Sequence, residues 1–387
     1  MRALGGAAEF WEVTEKVKLL LVISSLGLGG AERAVSILAR EWVRHGHQVA
    51  LATLEESGSI AAYDLPQELN RIYLGRGAAG LSSLRKLPRL LRIVRRIRRT
   101  VRAERPDIVV SFMDQTNVLT ILGTLGLKVP CIVNEQIHPS FSSIEKFPAL
   151  PLLSWFLIPL RNFSYRGARW ITLLSERSRN CFPGYLQARI RVISNPVAEL
   201  PAEARDAELP RPVVLGVGRL VPQKRFDRLI EAFALLAPQF PKWSLALAGE
   251  GRDRETLVRL ADRLGVSSKV QFLGRRQAMG SLYKQADIFA LSSDFEGFPN
   301  VLGEAMASGC AVIATDCLTG PGELIRHEVD GILTPVSTEG LAAGLGQLMQ
   351  DEELRRRLGS NAKEVVERFG LTQVLALWDD LFRIAVN

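Results

Sequence analysis

The feature that most limits the fold of this chain is a rhythm of buried strand, turn and amphipathic helix. It runs along the first half, breaks, and begins again. Apolar runs of strand length lie at Val17–Ser24, Gln48–Leu54, Asp107–Phe112, Pro130–Asn134, Trp170–Leu174 and Arg191–Ser194. Helical periodicity covers Gly29–Arg44, Leu81–Ala103 and Asn117–Leu125 between them. Strands apolar on both faces and separated by helices predict parallel sheets covered on each side. Pro196–Arg211 (PVAELPAEARDAELPR) then interrupts the pattern as a linker would. Strands are expected again at Val213–Gly218, Ser244–Gly249, Val270–Leu273, Asp287–Leu291 and Ala311–Thr315. A last helix, Leu371–Ile384, aligns Leu375, Trp378, Leu381 and Phe382 on one face. The expected fold class is α/β, with two Rossmann-like doubly wound domains at residues 1–195 and 212–370 joined by linker 196–211. Such domains, facing one another, bind ligands in the cleft at the carboxyl ends of their strands.

Two domains suit 387 residues. The longest greasy stretch, Phe147–Leu160, is interrupted by Pro148, Pro151 and Pro159 and falls short of the roughly 20 apolar residues of a spanning helix. Met1–Lys16 lacks the pattern of a signal peptide. The four cysteines form no C-x-x-C pair, and the four histidines are scattered. Both facts point to reduced thiols, a cytoplasmic protein and no protein-built metal centre. The net charge of +8 has one source. Arg85–Arg105 holds ten basic residues and one acid, Glu104, whereas the remainder holds 39 basic and 40 acidic residues.

Glycine turns follow three of the expected strands. Leu26-Gly-Leu-Gly-Gly-Ala-Glu32 opens the first helix, so the backbone at Gly29 and Gly30 can approach an anion at the helix N-terminus. It is not G-x-G-x-x-G, because Glu32 stands in the last glycine's place, although Glu55 lies where a ribose-binding acid would sit. A dinucleotide site and a tight turn with no ligand both fit this segment. In the second half, Gly216-Val-Gly218-Arg219-Leu-Val-Pro-Gln-Lys224 places two cations beside a glycine turn, suited to a diphosphate. Ala248-Gly-Glu250-Gly-Arg252 follows the next strand and belongs on the same rim.

The sharpest feature is Asp294-Phe-Glu296-Gly297-Phe298-Pro299-Asn300-Val301-Leu302-Gly-Glu304. Pro299 suits a first helical turn, which puts Glu296 on the loop and Glu304 one or two turns into the helix. The N–H groups of Gly297 to Asn300 are then expected to point at a ligand. Glutamates at this spacing are common; the glycine turns before them and Thr319-Gly-Pro-Gly-Glu323 after them single this pair out.

The ordered set GVGRLVPQK, AGEG, SSDFEGFPNVLGEAMASG and TGPGELI resembles the retaining, nucleotide-sugar-dependent glycosyltransferases of family 4, with the GT-B fold. The GGAER turn and the last helix fit as well, so the resemblance covers nearly the whole chain. It implies that Arg219 and Lys224 grip the donor diphosphate, and that Glu296 addresses the transferred sugar. The backbone of Gly297, Phe298, Pro299 and Asn300 would lie beside that sugar, and Glu304 would bind ribose. Gly218, Glu250, Val301 and Leu302 complete the implied donor side. Gly29 and Gly30 would lie next to the phosphates and acceptor, and the helix 371–387 would pack back on the first domain. Many members carry a histidine after the strand matching Pro130–Asn134. Here the chain reads NEQIHPS, which leaves Gln136 at about that place and His138 two residues late.

The implied reaction moves a hexose or N-acetylhexosamine, with retention, from a nucleotide-sugar, most similarly a UDP-sugar, to a membrane lipid-linked saccharide. No cofactor or metal is expected. A nucleotide-sugar epimerase of the same fold is the alternative, followed by a dinucleotide-dependent oxidoreductase. Leu87, Leu90, Leu91, Val94, Ile97 and Val101 form an apolar helix stripe, with Arg85, Arg89, Arg92, Arg96 and Arg99 mostly opposite. That pattern fits either a packed helix with a solvated basic face or attachment to an anionic membrane surface on its cytoplasmic side. The stretch Phe147–Phe163 is a second element suited to the interface. No aromatic residues are interleaved for nucleic acid, which is not an expected partner.

Overall fold

The computed structural model of the protein describes residues 16–75, 83–138, 151–201 and 208–386. Parts of four expectations, at residues 1–15, 81–82, 147–150 and 202–207, lie outside the described residues. The chain divides into two compact units, Met1–Ser194 with Val374–Asn387, and Asn195–Gln373.

The first unit is built on strands β1 (Lys18–Ile23), β2 (Gln48–Thr53), β3 (Asn70–Tyr73), β4 (Ile108–Phe112), β5 (Cys131–Glu135), β6 (Trp170–Leu173) and β7 (Ile190–Val192). All pairs are parallel, in the order β3-β2-β1-β4-β5-β6-β7. Helices α1 (Gly30–Arg44), α2 (Ser83–Glu104), α3 (Asp114–Thr124), α4 (Pro151–Ser164) and the single turn α5 (Gly184–Gln187) link them. The second unit has β8 (Val213–Val217), β9 (Ser244–Ala248), β10 (Val270–Gly274), β11 (Ile288–Leu291), β12 (Ala311–Thr315) and β13 (Ile332–Thr334), in the order β10-β9-β8-β11-β12-β13. Its helices are α6 (Phe226–Leu236), α7 (Arg254–Arg263), α8 (Met279–Gln285), α9 (Asn300–Ala307), α10 (Pro321–Leu324), α11 (Thr338–Gln350), α12 (Glu352–Ala362) and α13 (Val365–Phe369). The final helix α14 (Leu371–Val386) starts in the second unit and ends in the first.

The central strands are buried end to end, which is why they read as unbroken apolar runs. In the second unit Leu220, Leu229, Ile230, Phe233, Leu245 and Leu345 fill the space between the sheet and its helices. In the first, Ile93, Ile97 and Val101 of α2 pack on Leu20, Val22 and Val109. Trp378 and Phe382 of α14 lie 5.6 and 5.3 Å from Trp42 of α1, a large aromatic contact that ties the last helix to this unit.

The structure departs from the sequence reading in several places. The short strands β3 (NRIY) and β13 (ILT) were not expected, because three or four residues give no readable alternation. Pro159 sits inside α4 without ending it. On α2, Leu91 is 49% exposed and Ile93 takes its place in the core. Arg96 is no free surface charge either: its Nη1 donates to the Leu74 carbonyl at 2.8 Å.

Candidate active site

In each sheet the strand order reverses direction between two neighbours, β1 and β4 in the first and β8 and β11 in the second. The loops that leave the carboxyl ends of such a pair diverge and open a crevice, the usual ligand site of doubly wound sheets. In the second unit those loops are 218–225 and 292–299, which carry the residues singled out above.

The loop after β8 starts at Gly218 (φ 155°) and lies against the turn after β9. A Cβ on Gly249 would come 1.9 Å from the Gly218 carbonyl oxygen, and one on Gly251 2.1 Å from that of Leu220. Only glycines let these backbones meet. The contact is sealed by Gly218 N–H to Ala248 O at 3.0 Å and Leu220 N–H to Glu250 O at 2.9 Å. Glu250 thus braces the loop through its backbone, with its side chain exposed on the same rim.

The loop after β11 is fastened from two sides. Thr315 Oγ1 donates to the Ser293 carbonyl at 2.7 Å, and Thr319 Oγ1 to that of Glu296. Gly320 has φ 97°, and a Cβ there would collide with Pro299 and Glu296. The TGPG segment is therefore a support for the glutamate loop. Phe298 is buried and packs edge-on against Phe369, 5.7 Å between centroids.

Lys224 and Glu296 meet at the centre. Lys224 Nζ lies 2.6 Å from Glu296 Oε1, which also accepts from Ser293 Oγ at 2.6 Å. The two side chains are 14% and 7% exposed, so the ion pair is largely out of water and removal of either partner strands the other. Arg219 is exposed and, among the described residues, its side chain makes no ion pair or hydrogen bond. Of the two cations singled out in the sequence, Lys224 is thus already matched by a carboxylate and Arg219, among the described residues, is not.

Glu304, in the second turn of α9, is buried and accepts from the Tyr283 hydroxyl at 3.0 Å. Pro299 precedes α9 as its N-cap instead of opening it. Among the described residues the backbone N–H groups of Gly297, Phe298 and Val301 have no hydrogen-bond partner. The Leu302 side chain is fully buried, and its N–H is bonded to the Pro299 carbonyl. The Phe298 ring is buried, and its backbone N–H is one of the three named above.

The first unit arranges its residues differently. Gly29 caps α1, and the Glu32 carboxylate lies where a Cβ on Gly29 would project, 2.1 Å away, with Ser25 Oγ donating to it at 3.3 Å. The Glu32 carboxylate thus lies beside Gly29 in the first turn of its own helix. Gln136 is buried, its amide N–H donating to Asn134 Oδ1. His138 is buried with Nε2 3.3 Å from Cys181 Sγ, and burial lowers its pKa. Sequence reading missed the group beside them: Glu135, at the end of β5, accepts from the Tyr165 hydroxyl. Burial raises its pKa against the pull of Arg161. A carboxylate closing an apolar strand (CIVNE) was the available signal.

Arg92, Arg95 and Arg99 are exposed on α2 and, among the described residues, unpaired. Arg98 reaches the carbonyls of Gly123 and Leu125, and Leu125 is itself 64% exposed. No described helix is long and apolar enough to cross a membrane. Among the described residues no three His, Cys, Asp or Glu side chains converge to hold a metal ion. All four cysteines are free, and burial pushes the Cys131, Cys310 and Cys317 thiols up to about 12.

Two doubly wound units, the second with cations and carboxylates at its switch point, define a GT-B-type α/β protein. Residues 28–199 match the family model described as Glycosyltransferase Family 4, and residues 202–365 match that of Glycosyl transferases group 1. The chain belongs to the family-4 glycosyltransferases. It is 35% identical, over 56% of its length, to an exopolysaccharide phosphotransferase of Streptomyces coelicolor, of which it spans only 23%. It is 27% identical to a Campylobacter jejuni enzyme, the alpha-1,4-N-acetyl-D-galactosaminyltransferase of GalNAc-alpha-(1->4)-GalNAc-alpha-(1->3)-diNAcBac-PP-undecaprenol. That match covers 94% of this chain and 97% of the relative. Among solved structures, Anabaena HepE in complex with UDP is similar in fold, with TM-score 0.75 and 21% identity over 95% of this chain and 99% of HepE.

Proposed function

We propose that the protein is a retaining, metal-independent glycosyltransferase. It moves a hexose or N-acetylhexosamine from a UDP-sugar to a membrane lipid-linked saccharide during envelope or glycoprotein glycan assembly. The observation that carries this reading is the Lys224–Glu296 pair, 2.6 Å apart at the switch point of the second sheet, with free Arg219 on the same rim. Arg219 and Lys224 bind the diphosphate and stabilise the charge that grows on it as the sugar leaves. Glu296 accepts hydrogen bonds from sugar hydroxyls and Glu304 from ribose, while the free N–H groups of Gly297, Phe298 and Val301 face the donor. The bond from the anomeric carbon to the diphosphate oxygen breaks. The bond to the acceptor oxygen forms on the same face, and the acceptor proton passes to the departing diphosphate. These residues supply position and positive charge, not a nucleophile. The names of the relatives favour transfer to an acceptor over epimerisation.

The acceptor reading also places the protein on the cytoplasmic face of the membrane as a peripheral protein. Arg92, Arg95 and Arg99 supply attraction to anionic lipid, about 1 kcal/mol per cation near the surface. Exposed Leu125, Leu160 and Phe163 supply apolar contact in the same unit. The deciding experiment is a screen of nucleotide-sugars with purified protein, scored by nucleoside diphosphate release with and without polyprenyl-diphosphate-linked saccharides. Acceptor-dependent release and a product of unchanged anomeric configuration are expected. An inverted product would overturn retention, and a new UDP-sugar formed without acceptor would establish epimerisation instead.

A further inference from the structure

Between Lys224 and α6 the backbone passes through Arg225 at φ 48° and ψ 45°, the left-handed region. A residue with a Cβ is strained there and stays only where its surroundings hold it. Two carboxylates do so. Arg225 Nε lies 3.1 Å from both oxygens of Asp227, and Nη1 lies 3.2 Å from both oxygens of Asp294. Asp294 is held in turn by Nη2 of buried Arg228 at 2.7 Å, whose Nη1 donates to the Ser292 carbonyl at 2.8 Å. Ser292 Oγ donates to the Lys224 carbonyl at 2.9 Å, and Gln223 Nε2 to that of Phe295 at 2.9 Å. The loops after β8 and β11 are thus laced together on both sides of Lys224 and Glu296. Glycine would adopt the Arg225 turn without strain, so the tether is what lets an arginine keep that shape.

We propose that Arg225 is a positioning residue of the donor site: tethered to Asp227 and Asp294, it holds a left-handed turn that keeps Lys224 Nζ beside Glu296. The proposal rests on the reading of Lys224 as a diphosphate ligand. It makes an unusual claim about two substitutions at one position. Arg225→Ala removes the tether and keeps the strain; Arg225→Gly removes both.

The test is calorimetric titration of the full chain with UDP, and with GDP and ADP, which carry the same diphosphate. Arg225→Ala is expected to weaken binding about tenfold or more, and Arg225→Gly to stay within about threefold of the unsubstituted protein. Asp294→Asn, which keeps the Asp227 contact, should fall between them. Melting temperatures are measured alongside, since a merely structural role would lower them in Arg225→Ala and leave affinity of the folded protein unchanged. Unchanged affinity in Arg225→Ala overturns the proposal. Equal loss in the alanine and glycine variants also overturns it, because the guanidinium itself would then be the ligand contact. Lys224→Ala separates the two levels. If it binds as tightly as the unsubstituted protein, the donor-site reading fails; if it binds weakly while Arg225→Ala does not, only the tether fails. Absence of binding to all three diphosphates in the unsubstituted protein would bring down both.

Discussion

Of the strands flanking the two switch points, β1, β8 and β11 run into glycine-containing loops, whereas β4 passes through Met113 straight into α3, and the side chains that gather at the two rims differ. After β8 and β11, cations and carboxylates are interlaced: Lys224 with Glu296, Arg225 and Arg228 with Asp294, and Thr315 and Thr319 bracing the backbone from β12. After β1 the glycine turn is closed by Glu32 of its own helix, and the polar groups are buried around Glu135, Tyr165 and Arg161 at the end of β5. The scaffold is shared and the chemistry is not, which is how one sheet topology serves different partners.

The comparison breaks most readily at Glu296. Glu296→Gln is expected to cut turnover by about a thousandfold, the upper range for one charge-stabilising group, with the fold retained but the melting temperature lowered because Lys224 loses its carboxylate partner. His138→Ala, in the first unit, should cost far less. Comparable losses would erase the distinction between the two rims.

Arg219→Ala and Lys224→Ala should each remove about 2–4 kcal/mol of transition-state stabilisation, read from kcat/KM. Activity should withstand EDTA. Loss on chelation, with recovery on adding a divalent cation, would mean that these cations do not neutralise the diphosphate alone.

A smaller, several-fold effect is expected on the basic helix. Arg92, Arg95 and Arg99 replaced together by Gln should reduce co-sedimentation with anionic vesicles and turnover on lipid-linked acceptor, leaving UDP binding unchanged. Screening within about 8 Å at physiological salt makes the same contact weaken as salt rises. Equal sedimentation of both forms at low and high salt would leave α2 as a packed helix with a solvated face.

The smallest effect concerns α14. Burial raises the Asp379 carboxyl from 3.8 to about 6, and His47 Nε2 stands 3.9 Å from its Oδ1. His47 Nδ1 accepts from Val17 N–H, and burial lowers the imidazole pKa, so near neutral pH His47 is uncharged and, among the described residues, no cation pairs with the carboxylate. The folded state holds the Asp379 proton more tightly than the unfolded one, so stability is lost as pH rises between about 4 and 6. Asp379→Asn should raise the melting temperature by about 2–4 °C at pH 7.5 and by little at pH 4. An unchanged difference across that range would show that Asp379 finds a partner on ionising.

Periodicity and glycine placement determined the architecture from the chain alone. The runs VVLGV, SLALA and AVIAT are strands wherever they are buried on both faces, and burial of that kind forces parallel packing under helices. Motif order likewise placed Arg219, Lys224, Glu296 and Glu304 on one sheet, because parallel strands bring all following loops to one rim. Which of these side chains touch was not legible. Lys224 and Glu296 are 72 residues apart and meet only because β8 and β11 are neighbours in the sheet. The departures have the same cause. Arg96 bonds the end of β3, Leu91 faces water, Leu302 turns inward, and Arg225 is held left-handed by Asp294, 69 residues away. A local pattern states which residues are apolar and where the chain turns. Only tertiary structure supplies the distant partner that decides where a side chain points and what charge it meets.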